Sequence, residues 1–228
     1  MTTKTKNKLY GIGNALLSEL FPDRCAICDK LLDSGKCICD DCNDSFSRQP
    51  RKFYSGKTLC YSVCEYSDVN KKIVLGAKKG RDFYKLSFMA TEIYELLKNN
   101  GVMDEIEVIV PAPMSLAKRL KKGFNHTEKL TRHISYLSGI DTVKAVKKIR
   151  ETSEQKTLSR EERMKNLKGS FAMSKRKAVS GKTVLLVDDV TTTGSTLSEV
   201  AEVLRKAGNE VICAVFARTP YKENDTTE

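Results

Sequence analysis

Two constellations in this 228-residue chain combine residue types and spacing that suit chemistry. The first is "VLLVDDVTTTGST", residues 184 to 196. An apolar run there ends in two adjacent carboxylates, Asp188 and Asp189, and passes into Thr191, Thr192, Thr193, Gly194, Ser195 and Thr196. Such a corner suits a sugar phosphate. Backbone amides and hydroxyls at a helix N-terminus hold a phosphate, and the helix dipole favours its charge. Gly194 lets the backbone come close without a Cβ in the way. The carboxylates would repel that phosphate, so they need positive or hydroxylic partners a few ångströms away, which vicinal sugar hydroxyls supply. Thr196 and Glu199 also read as a capping box, which accounts for part of the hydroxyl content with no ligand at all.

The second constellation is Cys25-x2-Cys28 and Cys39-x2-Cys42, two thiol pairs separated by ten residues. Each pair makes a knuckle, and four thiolates close a tetrahedron around Zn²⁺. The alternative is a set of reduced, buried thiols, which the paired spacing disfavours. Cys37 competes with Cys39 as third ligand, but only Cys39 completes a Cys-x2-Cys pair. A four-thiolate site leaves no open position, so its metal is structural and organises a surface. Cys60 and Cys64, four apart in a β-rich stretch, are expected on one strand face as core residues.

The elements that position these groups follow from periodicity. "DFYKLSFMATEIYELLKNNG" sets Leu86, Met89, Ala90, Ile93 and Leu97 at helical spacing, with Gly101 beyond the end. "NHTEKLTRHISYLSG" is a second amphipathic helix carrying Leu130, Ile134 and Leu137. "LSEVAEVLRKAG" is a third, with Leu197, Val200, Ala201 and Leu204 on one face. "IEVIVPAP", "TVLLV" and "EVICAVFA" read as strands. Strands alternating with helices indicate an α/β domain with a largely parallel sheet flanked by helices.

Residues 21 to 50 are polar and turn-rich, with too little apolar surface to fold alone. The organisation expected is a short helix near Asn14 to Leu20 plus a ribbon over residues 1–50, and the α/β domain over 51–228. The charged stretch at about 147–168 fits a solvated connection or a mobile loop that closes over a phosphate; the sequence leaves both open. Residues 221–228 read as a solvated tail.

The formal net charge of +11 points to a polyanionic partner or a phosphate-rich substrate and to nothing sharper. No apolar run approaches the ~20 residues of a membrane helix. The first residues lack the apolar core of a secretory signal, so a cytoplasmic location is expected. His126 and His133 sit seven apart with no third ligand nearby and are expected in surface or hydrogen-bonding roles.

Several segments in order resemble one family. "VLLVDDVTTTGST" resembles the phosphoribosyl pyrophosphate (PRPP) signature of type I phosphoribosyltransferases. The four-cysteine ribbon, "VPAP" at 110 to 113, "KRLKKGFNHTEKL" and "RETSEQKTLSREERMKNLKGSF" resemble the ComF (ComFC/GntX-like) family over nearly the whole chain. In the last segment the matching residues are Arg150, Thr152, Gln155, Leu158, Arg163, Asn166 and Phe171.

The resemblance implies a type I phosphoribosyltransferase-like sheet with a small N-terminal zinc ribbon. It implies that Asp188 and Asp189 bind the ribose hydroxyls of PRPP, directly or through Mg²⁺, and that Thr191 to Thr196 hold the 5′-phosphate. Ala112, Pro113, Lys118 and Arg119 are then expected to face the pyrophosphate, and Arg150 and Arg163 to neutralise it as it leaves. Purine-salvage relatives carry an acidic residue where this chain has Thr192, which argues against purine salvage. The family further implies a role in natural competence, with a helicase-like ATPase docked through the ribbon and single-stranded DNA as the cargo. A non-catalytic DNA-binding adaptor that retains the fold is the second reading.

Overall fold

A computed structural model describes residues 24–32, 36–79, 83–150 and 166–219. The short helix expected near Asn14 to Leu20 lies outside them, as do Thr152, Gln155, Leu158 and Arg163. The strands are β1 (Arg51–Ser55), β2 (Thr58–Glu65), β3 (Val108–Pro111), β4 (Val146–Lys148), β5 (Phe171–Met173), β6 (Thr183–Thr191) and β7 (Glu210–Arg218). The helices are α1 (Asp40–Ser45), α2 (Asp68–Lys79), α3 (Phe83–Asn99), α4 (Leu116–Lys122), α5 (His126–Ser138) and α6 (Ser195–Lys206).

Five strands form one sheet in the order β1-β2-β7-β6-β3, and β4 and β5 form a separate antiparallel pair. The β1–β2 hairpin is antiparallel, whereas β2–β7, β7–β6 and β6–β3 are all parallel. The sheet is covered on both faces, as parallel sheets require. Alternation along β6 shows this directly. Leu185 and Val187 pack with Leu86, Met89 and Ile93 of α3 and Leu130 and Ile134 of α5. Val184 and Leu186 pack with Leu197, Val200, Ala201 and Leu204 of α6.

The helices begin and end where local chemistry dictates. Asn125 caps α5, its side-chain oxygen accepting the Thr127 amide proton at 3.1 Å. Gly139 ends the same helix in the left-handed region, its N–H returning to the Ser135 carbonyl. Helix α2, "DVNKKIVLGAKK", carries no clean stripe in sequence, yet Ile73, Val74 and Ala77 are fully buried. Both Cys60 and Cys64 are buried, but Cys60 belongs to the α6-side cluster and Cys64 to the α3-side cluster. Their spacing therefore does not give them the shared surroundings expected.

The ribbon is seated on the sheet domain rather than standing apart from it. Phe46 packs edge-on to Phe88 of α3 at 5.2 Å and stacks on Phe216 of β7 at 6.2 Å. Arg48 makes two 2.7 Å contacts to the Glu92 carboxylate and lies over the Phe46 ring. A partly exposed pair of this kind contributes about 1 kcal/mol at most, whereas a buried phenyl contributes several times that. Phe46 is therefore the main anchor. Phe46→Ala is expected to lower folding stability by about 3–5 kcal/mol, and Arg48→Ala by far less, which denaturant unfolding of the two variants checks.

Candidate functional site

In parallel sheets, ligands sit beyond the carboxyl ends of the strands. Strand β6 does not stop at the aspartates as its apolar run suggested. It stays paired with β7 through Thr191, opposite Arg218. Side chains alternate along a strand, yet at this end of β6 the two carboxylates stay together: Asp188, Asp189 and His126 each bring an atom within 4.8 Å of the others. Asp189 points to the α3/α5 side and is buried; Asp188 is half-buried.

The two carboxylates differ in their partners. Asp189 Oδ1 accepts the Val190 N–H at 2.8 Å. Its Oδ2 lies 2.7 Å from Lys78 Nζ of α2 and 3.2 Å from His126 Nε2 of α5. Asp188 Oδ1 accepts the Asp189 N–H at 2.8 Å. Burial alone would raise Asp189, but the imidazole of His126 and the charge of Lys78 outweigh it and hold the carboxyl well below the usual range. Burial, then the adjacent Asp189 charge, push Asp188 well above that range. Lys78 is drawn down by burial, but Asp189 and then Asp188 more than compensate and raise it. The corner carries two unlike carboxyls.

Gly194 (φ 77°) caps α6, and no side chain completes the cap. A Cβ there would lie 2.2 Å from Ser55 Oγ, and that hydroxyl donates to the Gly194 carbonyl at 2.9 Å. The close approach that demands glycine is thus to the end of β1. The capping box expected of Thr196 and Glu199 does not form. Thr196 sits inside the first turn, and Glu199 instead accepts the Gly169 N–H at 3.4 Å. Thr193 Oγ1 and Ser195 Oγ are 2.7 Å apart, Thr191 is buried and Thr192 is exposed. The loop gathers the Thr193 and Ser195 hydroxyls at the N-terminus of α6, where the Ser195 N–H also turns to Thr193 Oγ1 at 3.4 Å, an arrangement that suits an anion.

Ala112 and Pro113 follow β3 and line a cleft of about 140 Å³ with Arg119, Asn125, Glu128 and Lys144. Glu128 is paired with Lys144 and lies 3.6 Å from Arg119. The cleft and the carboxyl corner meet at the start of α5. Asn125 lines one, and His126 touches the other. The side chain of Lys118 lies outside the described residues. Arg150 does not join these groups: its Nη2 donates to the Asn166 and Lys168 carbonyls at 3.0 Å each, tying the base of the β4–β5 pair. Lys78 and His126 are the site residues that sequence reasoning missed. For His126 the signal was its place directly after the Gly-Phe-Asn stretch; Lys78 offered none beyond charge.

At the ribbon, the sulfurs of Cys25, Cys28, Cys39 and Cys42 all lie within 4.8 Å of one another. Cys37 is not in the set, which decides the third ligand in favour of Cys39. Four sulfurs about 2.3 Å from a central ion stand about 3.8 Å apart, and Cys28 and Cys39 are separated by 3.8 Å. The Cys39 N–H points at Cys25 Sγ at 3.5 Å, and Asp29 takes a left-handed turn (φ 63°) after the first pair. Burial raises the Cys25 thiol, but the amides of Cys28, Cys39 and Ile27 outweigh it and bring it to about 6. Burial and the neighbouring sulfurs push Cys42 up. Thiols so close ionise together only around a cation. The donor set fits a structural metal.

Comparison with known proteins follows this geometry. The phosphoribosyl transferase domain family matches residues 114–227, which takes in α5 and the whole of β6 and α6 but not Lys78 or the ribbon. Competence protein F of Haemophilus influenzae is 37% identical over 108 residues, covering 46% of this chain and 47% of that protein. DNA utilization protein YhgH of Escherichia coli is 36% identical over 101 residues, 44% of each. The matched part thus spans about half the length of these curated relatives. Yeast adenine phosphoribosyltransferase superposes with a TM-score of 0.41 at 15% identity, over 75% of this chain and 83% of that one.

Proposed function

Because this chain belongs to the ComF family of phosphoribosyltransferase-fold proteins, we propose that it binds PRPP with Mg²⁺ at the carboxyl end of β6 and serves in the uptake of transforming DNA. The observation that carries the binding reading is the junction of β6 and α6. There a carboxylate corner stands directly before an anion cradle of amides and hydroxyls, which matches a sugar hydroxyl face joined to a 5′-phosphate. The corner of Asp188 and Asp189 stands at the ribose end, and Thr191 to Thr196 at the phosphate end. Ala112, Pro113 and Arg119 line the cleft offered to the diphosphate, and Lys118 and Arg163 are further candidates by their place in the sequence.

Mg²⁺, when bound, neutralises the diphosphate and makes it a better leaving group. The chain's own part is to orient the sugar and to place cations near the developing negative charge. An acceptor that displaces pyrophosphate attacks C1 of ribose as positive charge builds there. Thr192 is a neutral hydroxyl, so a purine base finds no acidic partner at that position.

The competence role comes from the names of the relatives, Competence protein F and DNA utilization protein YhgH. On this reading the protein works in the cytoplasm; no described helix is long and apolar enough to cross a membrane. The four-cysteine ribbon holds Zn²⁺ and presents a docking surface for a helicase-like ATPase. Leu31, exposed at the ribbon's turn, is part of that surface. One Zn²⁺ per chain is expected from elemental analysis, falling to none in Cys28→Ser. A metal-free wild type with full thermal stability would exclude the ribbon as a metal centre.

Titration of PRPP with Mg²⁺ into the purified chain is expected to give binding that an Asp188→Ala/Asp189→Ala variant loses. A folded wild type that binds no PRPP removes this reading. The second reading, a single-stranded-DNA adaptor that retains the fold, is favoured by the basic composition and by the exposed edge around Tyr54, which carries Arg51, Lys52 and Lys57. Its mark is single-strand binding whose affinity falls steeply with salt as phosphate contacts release counterions. Salt-insensitive binding, or none, counts against it.

A further inference from the structure

The adjacent aspartates are unequal in a way that their sequence conceals. Asp189 accepts a backbone amide proton at Oδ1, and its Oδ2 lies at ion-pair distance from Lys78 (2.7 Å) and His126 (3.2 Å) without an aligned hydrogen bond among the described residues. Its side chain is 8% exposed. Asp188 is half-buried; its Oδ1 accepts the Asp189 N–H, and a carboxylate oxygen lies within 4.8 Å of Asp189 and His126. Lys78 comes from α2, outside the residues that the family match covers.

We infer that Lys78 is a positioning residue of the ligand site: it holds Asp189 as a fixed, neutralised anchor, so that Asp188 alone is offered to the hydroxyls of the sugar. This rests on the reading that the corner takes PRPP. The physical argument is one of charge. With Lys78 in place the corner carries one net negative charge. Without it two carboxylates sit side by side, one of them buried with only the His126 imidazole and a backbone amide against it. That state is strained and repels a polyanionic ligand. A buried anion left without its partner also either takes up a proton or turns away, and each outcome moves its neighbour.

A divalent ion ligated directly by His126, Asp188 and Asp189 is the competing use of the same atoms, which lie within 4.8 Å of one another. It fits less well. A metal on Nε2 leaves the Nδ1 proton of His126 to find an acceptor, and Nδ1 is buried with none among the described residues. The ammonium of Lys78 already stands against the Asp189 oxygen that such an ion would take.

The test is calorimetric titration of PRPP with Mg²⁺ into the full chain and four variants, with thermal melts to establish folding. Lys78→Met is expected to weaken binding about tenfold or more, whereas Lys78→Arg, which keeps the charge, stays within about threefold of wild type. Adding Asp189→Asn to Lys78→Met restores the corner's net charge, and affinity is expected to return to within about threefold of wild type. Asp188→Asn is expected to lose about thirtyfold or more, since it removes an acceptor that the ligand touches. The inference is overturned if Lys78→Met binds like wild type. It is equally overturned if the folded double variant is as weak as Asp188→Asn, which makes both carboxylates ligand contacts. Should Lys78→Met melt below the assay temperature, the Lys78→Arg and double variants decide by the same thresholds. A wild type that binds no PRPP is a different failure, that of the site reading itself.

Discussion

A buried negative charge organises this molecule. Asp189 sits at the end of a central strand, where burial works against ionisation, and it stays ionised because α2 supplies an ammonium and α5 an imidazole. Three elements far apart in sequence are thereby held to one point. Strand β6 fixes where the carboxylate emerges, α5 is placed by its Asn125 cap, and α2 must reach across the top of the sheet to deliver Lys78. The apolar core sets the layers of the fold, but it does not specify the arrangement at this end of the sheet. The charge does.

The ribbon attaches to the same side of the sheet. Ala26 and Phe46 join the cluster formed by α3, α5 and the odd-numbered residues of β6, so the cysteine knuckles and the carboxyl corner draw on one body of packed side chains. A boundary at residue 50 is real in composition, yet the hydrophobic contacts run through it. Packed cores transmit displacement rather than absorb it, so a partner that seats on the ribbon presses on the layer that carries Asp189.

Much of this was legible in the sequence because it depends on periodicity or on short spacing. The stripe of α6 names its buried apolar residues one by one, since a 3.6-residue period and burial on one face are the same fact, whereas the stripe of α3 misses Phe88 and Leu137 of α5 is only half-buried. The four clustered cysteines were legible for a similar reason: two residues between thiols is what a knuckle needs. The contacts that cross the sheet were not. Lys78 lies on a helix whose apolar residues are few and interrupted by Gly76, so neither α2 nor the lysine announced itself. His126 was read as an ordinary histidine because its partner is 63 positions away. Arg150 looked free for an anion because nothing local shows that the turn at 166–170 needs its guanidinium. Thr196 and Glu199 matched a capping pattern, but the helix is capped two residues earlier, on Gly194, and the pattern falls out of phase.

The contact between Ser55 and Gly194 joins the outermost strand of the sheet to the anion cradle. Edge strands have a neighbour on one side only and are ordinarily the first to fray. Here the last residue of β1 rests in the hollow left by a missing side chain and holds the loop's carbonyl. Peeling of the edge and loosening of the cradle are consequently a single motion, and an anion seated in the loop slows the breathing of a strand it never touches.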